Sequence, residues 1–403
     1  MTMRLAARET MSLLCFERIN INMRLNSLAV LGVLITCLSI SPVFGKAKPG
    51  VIWATWNADG FDNPQGVVQK ITQAGFSRVC IVPTWFMIDL DKVGWKRTAS
   101  FSRQKELIKQ LLRQGQEIIY RPHLDPVKYS AGYEQQLTDD HGWVAGIPWR
   151  GMFDIDPMAA WYREQIVEAS IKMLAEAIAE TGVFPAGGAI RLDLGAELMN
   201  STIFRSERWL EMVKELKGSQ TYQQNKSWLR LGHNFSHHVQ IDADFLGRMN
   251  AASRKALGLY IQELDTVTVS QYMDLTIKDQ DGMVEPAEVA AALDIHLKVF
   301  EKVLSAGLGV PQGSMPSIEL GEYGIGWGGL RHPNLWDGDP DKRAAGDEVL
   351  VGLQGLINWM EKKPEQKALL WISGPYYDLF RWGSFQFPER TEAGLWLSRY
   401  LRD

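Results

Sequence analysis

The stretch "IELGEYGIGWGG" (318–329) sets two glutamates, Glu319 and Glu322, three residues apart where an apolar run gives way to glycines. A third, Glu197, ends the run "AIRLDLGAE" (189–197). Two carboxyl groups across a cleft can break a glycosidic bond. One protonates the leaving oxygen while the other attacks the anomeric carbon or activates water, and a close pair implies retention. Tryptophan faces suit that chemistry because they pack on the C–H faces of sugar rings. Fifteen tryptophans are the outlier in the composition, and Trp53, Trp56, Trp85, Trp149, Trp327 and Trp371 fall at expected strand ends and loops. Strand-end glutamates are also common as merely solvated side chains, so an aldolase or a metal-dependent hydrolase stays open at this point.

The elements that must position these groups alternate regularly. Apolar runs at 51–56, 78–85, 117–125, 189–197, 228–235, 265–272, 317–322 and 368–373 read as strands. Helical periodicity follows each, at 64–74, 103–114, 159–180, 206–217, 243–262, 285–305, 345–362 and 391–402. Eight βα units with continuously apolar strands predict a parallel sheet closed into a single-domain (β/α)8 barrel over 46–403. Chemistry in such barrels sits at the C-terminal strand ends. There the strands deliver Trp56, Trp85, Arg121 and His123, Glu197, His233 and Asn234, Gln271 and Tyr272, Glu322, and Trp371. Strands 4 and 7 are expected on opposite sides of the barrel, with Glu197 and Glu322 facing each other across the mouth. Side chains alternate along a strand, which predicts opposite faces for Glu319 and Glu322 and favours Glu322, with Glu319 as the alternative. Arg191, Asp193, Gly195 and Glu197 are expected to share a face, with Asp193 paired to Arg121 or Arg191.

Residues 1–45 read as a leader. Met23-Arg24 precedes an apolar run, and Val43 and Gly45 occupy the small-residue positions of a cleavage site, so 23–45 is a signal peptide and the chain is expected to be secreted or periplasmic. A lipoprotein cut at Cys37 is disfavoured by Thr36. The formal charge is −4, and the leader's four arginines against two glutamates leave −6 for the remainder. With no basic stripe, nucleic acid is not an expected partner. Cys15 and Cys37 lie in the leader, and Cys80 in "RVCIV" reads as a buried strand residue. No glycine-rich phosphate loop follows the first strand, so no nucleotide is expected. His233, His237 and His238 fit no zinc spacing and read as surface or substrate-contact residues. The acidic turns at 277–288 and 337–348 depart from calcium-loop spacing at Ile277 and Lys342. No metal or cofactor is expected, and a monomer is.

The order of "YRPHLDP" (120–126), "WRG" (149–151), "WYREQI" (161–166), "GAELMN" (195–200), "RWLEMVKELK" (208–217), "QYMDL" (271–275) and "GEYGIGWGG" (321–329) resembles glycoside hydrolase family 113. That β-mannanase-like family belongs to the retaining (β/α)8 glycoside hydrolase clan, and the resemblance runs from Val51 to about Trp371. It implies Glu197 as acid/base, Glu322 as nucleophile and Tyr272 as the hydrogen-bond partner of the nucleophile, with Arg121 and His123 shaping the adjoining subsite. The wider clan places Asn before the first glutamate to hold the sugar 2-hydroxyl. Here that position is Ala196, which makes Asn234 a candidate for the contact. The segment "GLRHPNLWDGDPDK" follows no mannanase pattern. The expected activity is an exported, endo-acting β-glycanase on β-mannan or another bacterial polysaccharide, with Trp56, Trp85, Trp149 and Trp371 as sugar platforms. The alternatives are a carbohydrate-binding barrel without catalysis, in polysaccharide export or assembly, and a metal-dependent barrel hydrolase.

Overall fold

In a computed structural model, residues 46–54, 59–87, 93–97, 99–126, 150–236, 243–273, 284–325, 346–371 and 388–403 are described. The leader, Trp56, Trp149, Trp327, His237, His238 and most of the two acidic turns lie outside them. The strands are β1 (Gly50–Ala54), β2 (Arg78–Val82), β3 (Thr84–Met87), β4 (Val93–Arg97), β5 (Glu117–Tyr120), β6 (His123–Pro126) and β7 (Ile190–Ala196). They continue as β8 (Leu229–Phe235), β9 (Thr266–Met273), β10 (Ser317–Ile325) and β11 (Ala368–Trp371). Eight of them close a parallel barrel in the order β1-β11-β10-β9-β8-β7-β5-β2. The seam pairs Val51 with Leu370 and Ile52 with Trp371. The helices that follow successive barrel strands are α1 (Pro64–Ala74), α2 (Phe101–Arg113), α3 (Ala169–Thr181), α4 (Ser206–Gly218), α5 (Ala251–Gln262), α6 (Pro286–Lys302), α7 (Gly346–Lys362) and α8 (Pro388–Arg402). The chain is a (β/α)8 barrel.

Strand residues alternate between two layers. Val51, Val79, Ile81, Leu192, Val267 and Leu370 join the large core beneath the helices, and Trp53, Trp209, Trp228 and Trp359 are buried in it. Their neighbours Ile52, Ala54, Cys80, Val82, Ile119, Leu369 and Trp371 form a separate apolar cluster inside the barrel. That cluster fills the interior on the β1, β2, β5 and β11 side. The β7 to β10 side is polar: Arg191, Asp193, Asn234, Thr268, Ser270, Glu319 and Glu322 are all buried there. The fourth and seventh barrel strands, β7 and β10, thus lie on one side, three steps apart in the barrel order, not on opposite sides as expected.

Two expected strands are shorter than the sequence suggests. The runs 78–85 and 117–125 break at Pro83 and at Arg121-Pro122, because proline supplies no N–H to a ladder. Arg121 N still donates to Ile81 O and His123 N to Pro83 O, each at 2.9 Å. Beyond the breaks β3 pairs with β6 in parallel and with β4 in antiparallel fashion, a small sheet outside the barrel. The expected helix at 243–262 is also interrupted, between Ala243–Gly247 and α5, where Asn250 caps α5 by accepting from Ser253 N at 2.8 Å.

The expectation that Glu319 and Glu322 face opposite ways is corrected by a β-bulge. Glu319 aligns with Thr268 and Glu322 with Ser270, so Gly321 is the extra residue and both carboxyls point inward. Only glycine fits there, since a Cβ at 321 would lie 2.0 Å from Asn234 Oδ1 and 2.3 Å from Thr268 Oγ1. Gly321→Ala should therefore lower stability by about 1–3 kcal/mol, the usual cost of overpacking. Gly218→Ala, with nothing within 4 Å of the new methyl, should leave it unchanged or slightly raised. Chemical denaturation of the two variants side by side checks this.

Candidate active site

Arg121 follows β5 directly and its guanidinium is wholly buried. A buried charge needs partners, and each part of the fork has one. Nε donates to Asp193 Oδ2 at 2.7 Å, Nη1 to Gly321 O at 2.9 Å and to Glu322 Oε1 at 3.1 Å. Asp193 also pairs with Arg191 at 2.9 Å, so both partners proposed for it from sequence are present. Arg191 and Arg78 each hold Glu319 Oε2 at 2.6 Å. An ionic chain thus runs from the lower barrel, Arg78–Glu319–Arg191–Asp193–Arg121, up to Glu322.

Glu322 ends that chain with both oxygens engaged. Oε1 receives Arg121 and the Asn234 amide (3.4 Å), while Oε2 accepts a 2.6 Å hydrogen bond from the Tyr272 hydroxyl. Burial alone would raise its pKa. His123, with Nε2 at 3.6 Å, then Arg121 and Arg150 outweigh burial and bring it down to about 2. Burial and Arg150 also lower the pKa of His123, so its share in holding Glu322 ionised requires a protonated ring, and near neutral pH the two guanidinia supply the attraction. Burial and the neighbouring carboxylates raise the Tyr272 pKa, which keeps its hydroxyl a donor.

Glu197 stands just past β7 with a left-handed backbone, φ 56°, uncommon outside glycine. Its N–H donates to Asn234 O at 2.7 Å and its carbonyl accepts from Met199 N at 3.0 Å, which holds that conformation. Oε2 accepts from Arg150 Nη1 at 3.0 Å. Burial, then the Glu322 charge, push its pKa up to about 7 against the opposing pull of Arg150 and Ser270. Such left-handed residues concentrate at functional sites.

Of the residues expected at the mouth, Arg121, His123, Asn234, Tyr272, Glu197 and Glu322 come together, and Trp371 stacks on His123 with ring centroids 6.1 Å apart and planes at 12°. Asn234 holds Glu322 instead of reaching into the opening, because its amide hydrogens go to Ser270 and Glu322. Trp85 departs from the expected platform role. It pairs with Leu124 on the face of the small sheet away from His123 and Asp125, and packs against Phe101. His233 is neither surface nor substrate contact. It turns toward the helices against Trp209 and Tyr260, with Nδ1 3.0 Å from the Tyr260 hydroxyl. Gly195 also turns that way, its side toward His233 and Trp209, and so leaves the face of Arg191 and Asp193. Sequence reasoning missed Arg150, Asp125, Thr268 and Ser270 as site residues. Two-residue alternation back from Tyr272 would have found Ser270 and Thr268, whereas Arg150 reaches the site from a loop.

Glu319 on β10 and Glu197 just past β7 should depend on pH in opposite senses. Glu319, with burial overcome by Arg191 and Arg78, falls from 4.5 to about 2, so it contributes stability above about 4.5 that is lost as pH falls through about 2. Glu197 is raised, so its contribution is fully present below 4.5 and lost as pH rises through about 7. Glu319→Gln should cost about 3–5 kcal/mol at neutral pH, the penalty of breaking a buried pair. Glu197→Gln should raise Tm above wild type at about pH 8 and leave it near wild type at about pH 5; Tm series across pH would check both.

No protein-family model matches the chain, and no curated protein matches it. Solved structures do. GH113 β-mannanase AaManA from Alicyclobacillus acidocaldarius in complex with ManMIm aligns at TM-score 0.50 and 12% identity over 87% of this chain and 96% of that one. A GH113 β-1,4-mannanase complex aligns at TM-score 0.49 and 12% identity, covering 88% and 99% of the two chains. A GH5-4 broad-specificity endoglucanase from an uncultured bacterium aligns at 0.48 and 12%, covering 90% and 95%. The likeness to the first is one of fold: this chain is built on the (β/α)8 barrel of that glycoside hydrolase.

Proposed function

We propose that the chain is a retaining glycoside hydrolase cleaving a β-linked polysaccharide, a β-mannan or a bacterial exopolysaccharide, and that it is exported. One observation carries the reaction class. Two buried glutamates sit in one hydrogen-bonded cluster whose surroundings push their acidities apart, Glu197 up to about 7 and Glu322 down to about 2. Carboxyl pairs separated in this way divide the roles of acid and base or nucleophile. The order of sequence motifs and the fold shared with a GH113 mannanase support the same reading. Export rests on the signal-peptide pattern of 23–45.

In this reading Glu197 begins protonated and Glu322 ionised. The Glu197 proton passes to the glycosidic oxygen as Glu322 bonds to the anomeric carbon, and the leaving chain departs as an alcohol. Glu197, now a carboxylate, takes a proton from water, whose oxygen attacks the same carbon and frees Glu322. Arg121, Asn234 and Tyr272 hold Glu322 in line. Trp371, backed by His123, offers an indole near the sugar.

A reducing-sugar and mass-spectrometric screen over manno-, gluco-, xylo- and amino-sugar polymers should yield product from one polymer, and none with Glu322→Ala. The first product seen by NMR should keep the β configuration. Since Glu197 must carry its proton, kcat/KM should fall as pH rises past about 7, and persist on the acid side because Glu322 stays ionised down to about 2. Tyr272→Phe removes a hydrogen bond to a charged group and should lower kcat/KM about 10- to 100-fold. Tight polymer binding without turnover, indifferent to loss of Glu322, would instead assign a carbohydrate-binding barrel.

A further inference from the structure

Arg150 belongs to no strand of the barrel. It begins the short turn Arg150–Met152, yet its side chain ends beside Glu197. The segment 150–158 is fastened onto the chain that follows Glu197. Asn200 Nδ2 donates to Met152 O at 3.0 Å, Ser201 N to Phe153 O at 3.1 Å and Ser201 Oγ to Ile155 O at 2.8 Å. Arg205 grips Asp154 through two bonds of 2.9 and 3.0 Å, and Arg208 pairs with Asp156 at 3.1 Å. So Arg150 is presented by a pinned loop. Its Nη1 meets Glu197 at 3.0 Å while its Nε meets Asp125 Oδ1, from β6, at 2.7 Å.

The described charged and titratable groups facing Glu197 and its Arg150 come from several strands: Glu322 on β10, Arg121 past β5, His123 and Asp125 on β6, and Tyr272 on β9. Arg121 is engaged by Asp193 and Glu322. Among the described residues, Arg150 is therefore the cation in contact with Glu197. We propose that Arg150 is the positioning residue that sets the protonation of Glu197, with Asp125 as the counter-charge that limits how much of the guanidinium Glu197 feels. The inference rests on Glu197 acting as acid/base. That role needs a proton held in the first step and a carboxylate in the second. An undivided cation at 3.0 Å would hold Glu197 ionised throughout, and no cation at all would keep it protonated through the step in which it must accept. Sharing the guanidinium with Asp125 leaves both states within reach.

Two readouts test this. The difference in Tm between each protein and its E197Q derivative, followed against pH, gives the ionisation of Glu197 without turnover. The alkaline limb of kcat/KM gives it during turnover. Arg150→Met should move both midpoints up by about one pH unit, about a tenfold change in proton affinity. Asp125→Asn should move both down, and Arg150→Lys should stay nearer wild type than Arg150→Met. Midpoints that stay put, or that move the same way in Arg150→Met and Asp125→Asn, would overturn the proposal. If Arg150→Met does not fold, the downward shift in Asp125→Asn decides. Should the Tm midpoints move as stated while no polymer is cleaved, the role of Arg150 stands and the glycosidase reading falls. Turnover with an unmoved alkaline limb gives the reverse.

Discussion

The Arg121 guanidinium, buried between Asp193 and Glu322, is the interaction on which the interior depends. Taking a charge out of water costs several kcal/mol unless geometry and further hydrogen bonds compensate. Here compensation comes from three strands at once, through Asp193 on β7, Thr268 on β9 and the Gly321 carbonyl with Glu322 on β10. The bulge at Gly321 brings that carbonyl and carboxylate inward together, and no side chain larger than hydrogen fits where the bulge meets Asn234 and Thr268. The nucleophile candidate is thereby fixed by the same contacts that make a buried arginine tolerable.

This arrangement divides labour inside one barrel. On the β1, β2, β5 and β11 side the interior is filled by aliphatic residues and Cys80, whose thiol burial pushes up to about 12 and keeps neutral. On the other side ions and hydroxyls fill the same kind of space. Trp371 and Tyr272 stand where the two halves meet, against the apolar cluster. A sugar entering there would find an indole on one hand and hydrogen-bonding groups on the other, the mixture a largely apolar pocket with a few placed polar groups supplies.

The barrel itself was legible in the sequence, because eight alternating runs with two clear periods leave few other ways to bury both strand faces. Glu197, Glu322, Arg121, His123 and Tyr272 were legible too, each lying at a strand end. What stayed hidden arose from departures from regularity. A one-residue bulge at Gly321 reverses the facing of Glu319 relative to simple alternation, and two prolines divert β3 and β6 into a second sheet, carrying Trp85 away from the site. Arg150 reaches Glu197 through a loop whose anchors, Asp154 and Asp156 on Arg205 and Arg208, are tertiary pairings with no periodic signature. His233 lies between Gly232 and Asn234, so on a regular strand its outward direction was readable; the polar residue type obscured it.

The proton on Glu197 follows from counting the buried ions. Among the described residues of this network, four guanidinia, Arg78, Arg121, Arg150 and Arg191, contact five carboxyl groups with little or no exposure: Asp125, Asp193, Glu197, Glu319 and Glu322. His123 and His233 are held uncharged by burial, so they add no cation. Low-dielectric surroundings disfavour an unbalanced charge, which favours a proton on one carboxyl. Glu319 has two arginines and Glu322 has Arg121 with a tyrosine hydroxyl. Asp193 also has two arginines. Asp125 and Glu197 share Arg150, at 2.7 and 3.0 Å. Glu197 is the more weakly held of the two glutamates at the mouth, and burial and the Glu322 charge push its pKa up to about 7. Balanced in this way, the proposed acid/base would hold its proton below about pH 7 beside an ionised Glu322 before any substrate arrives.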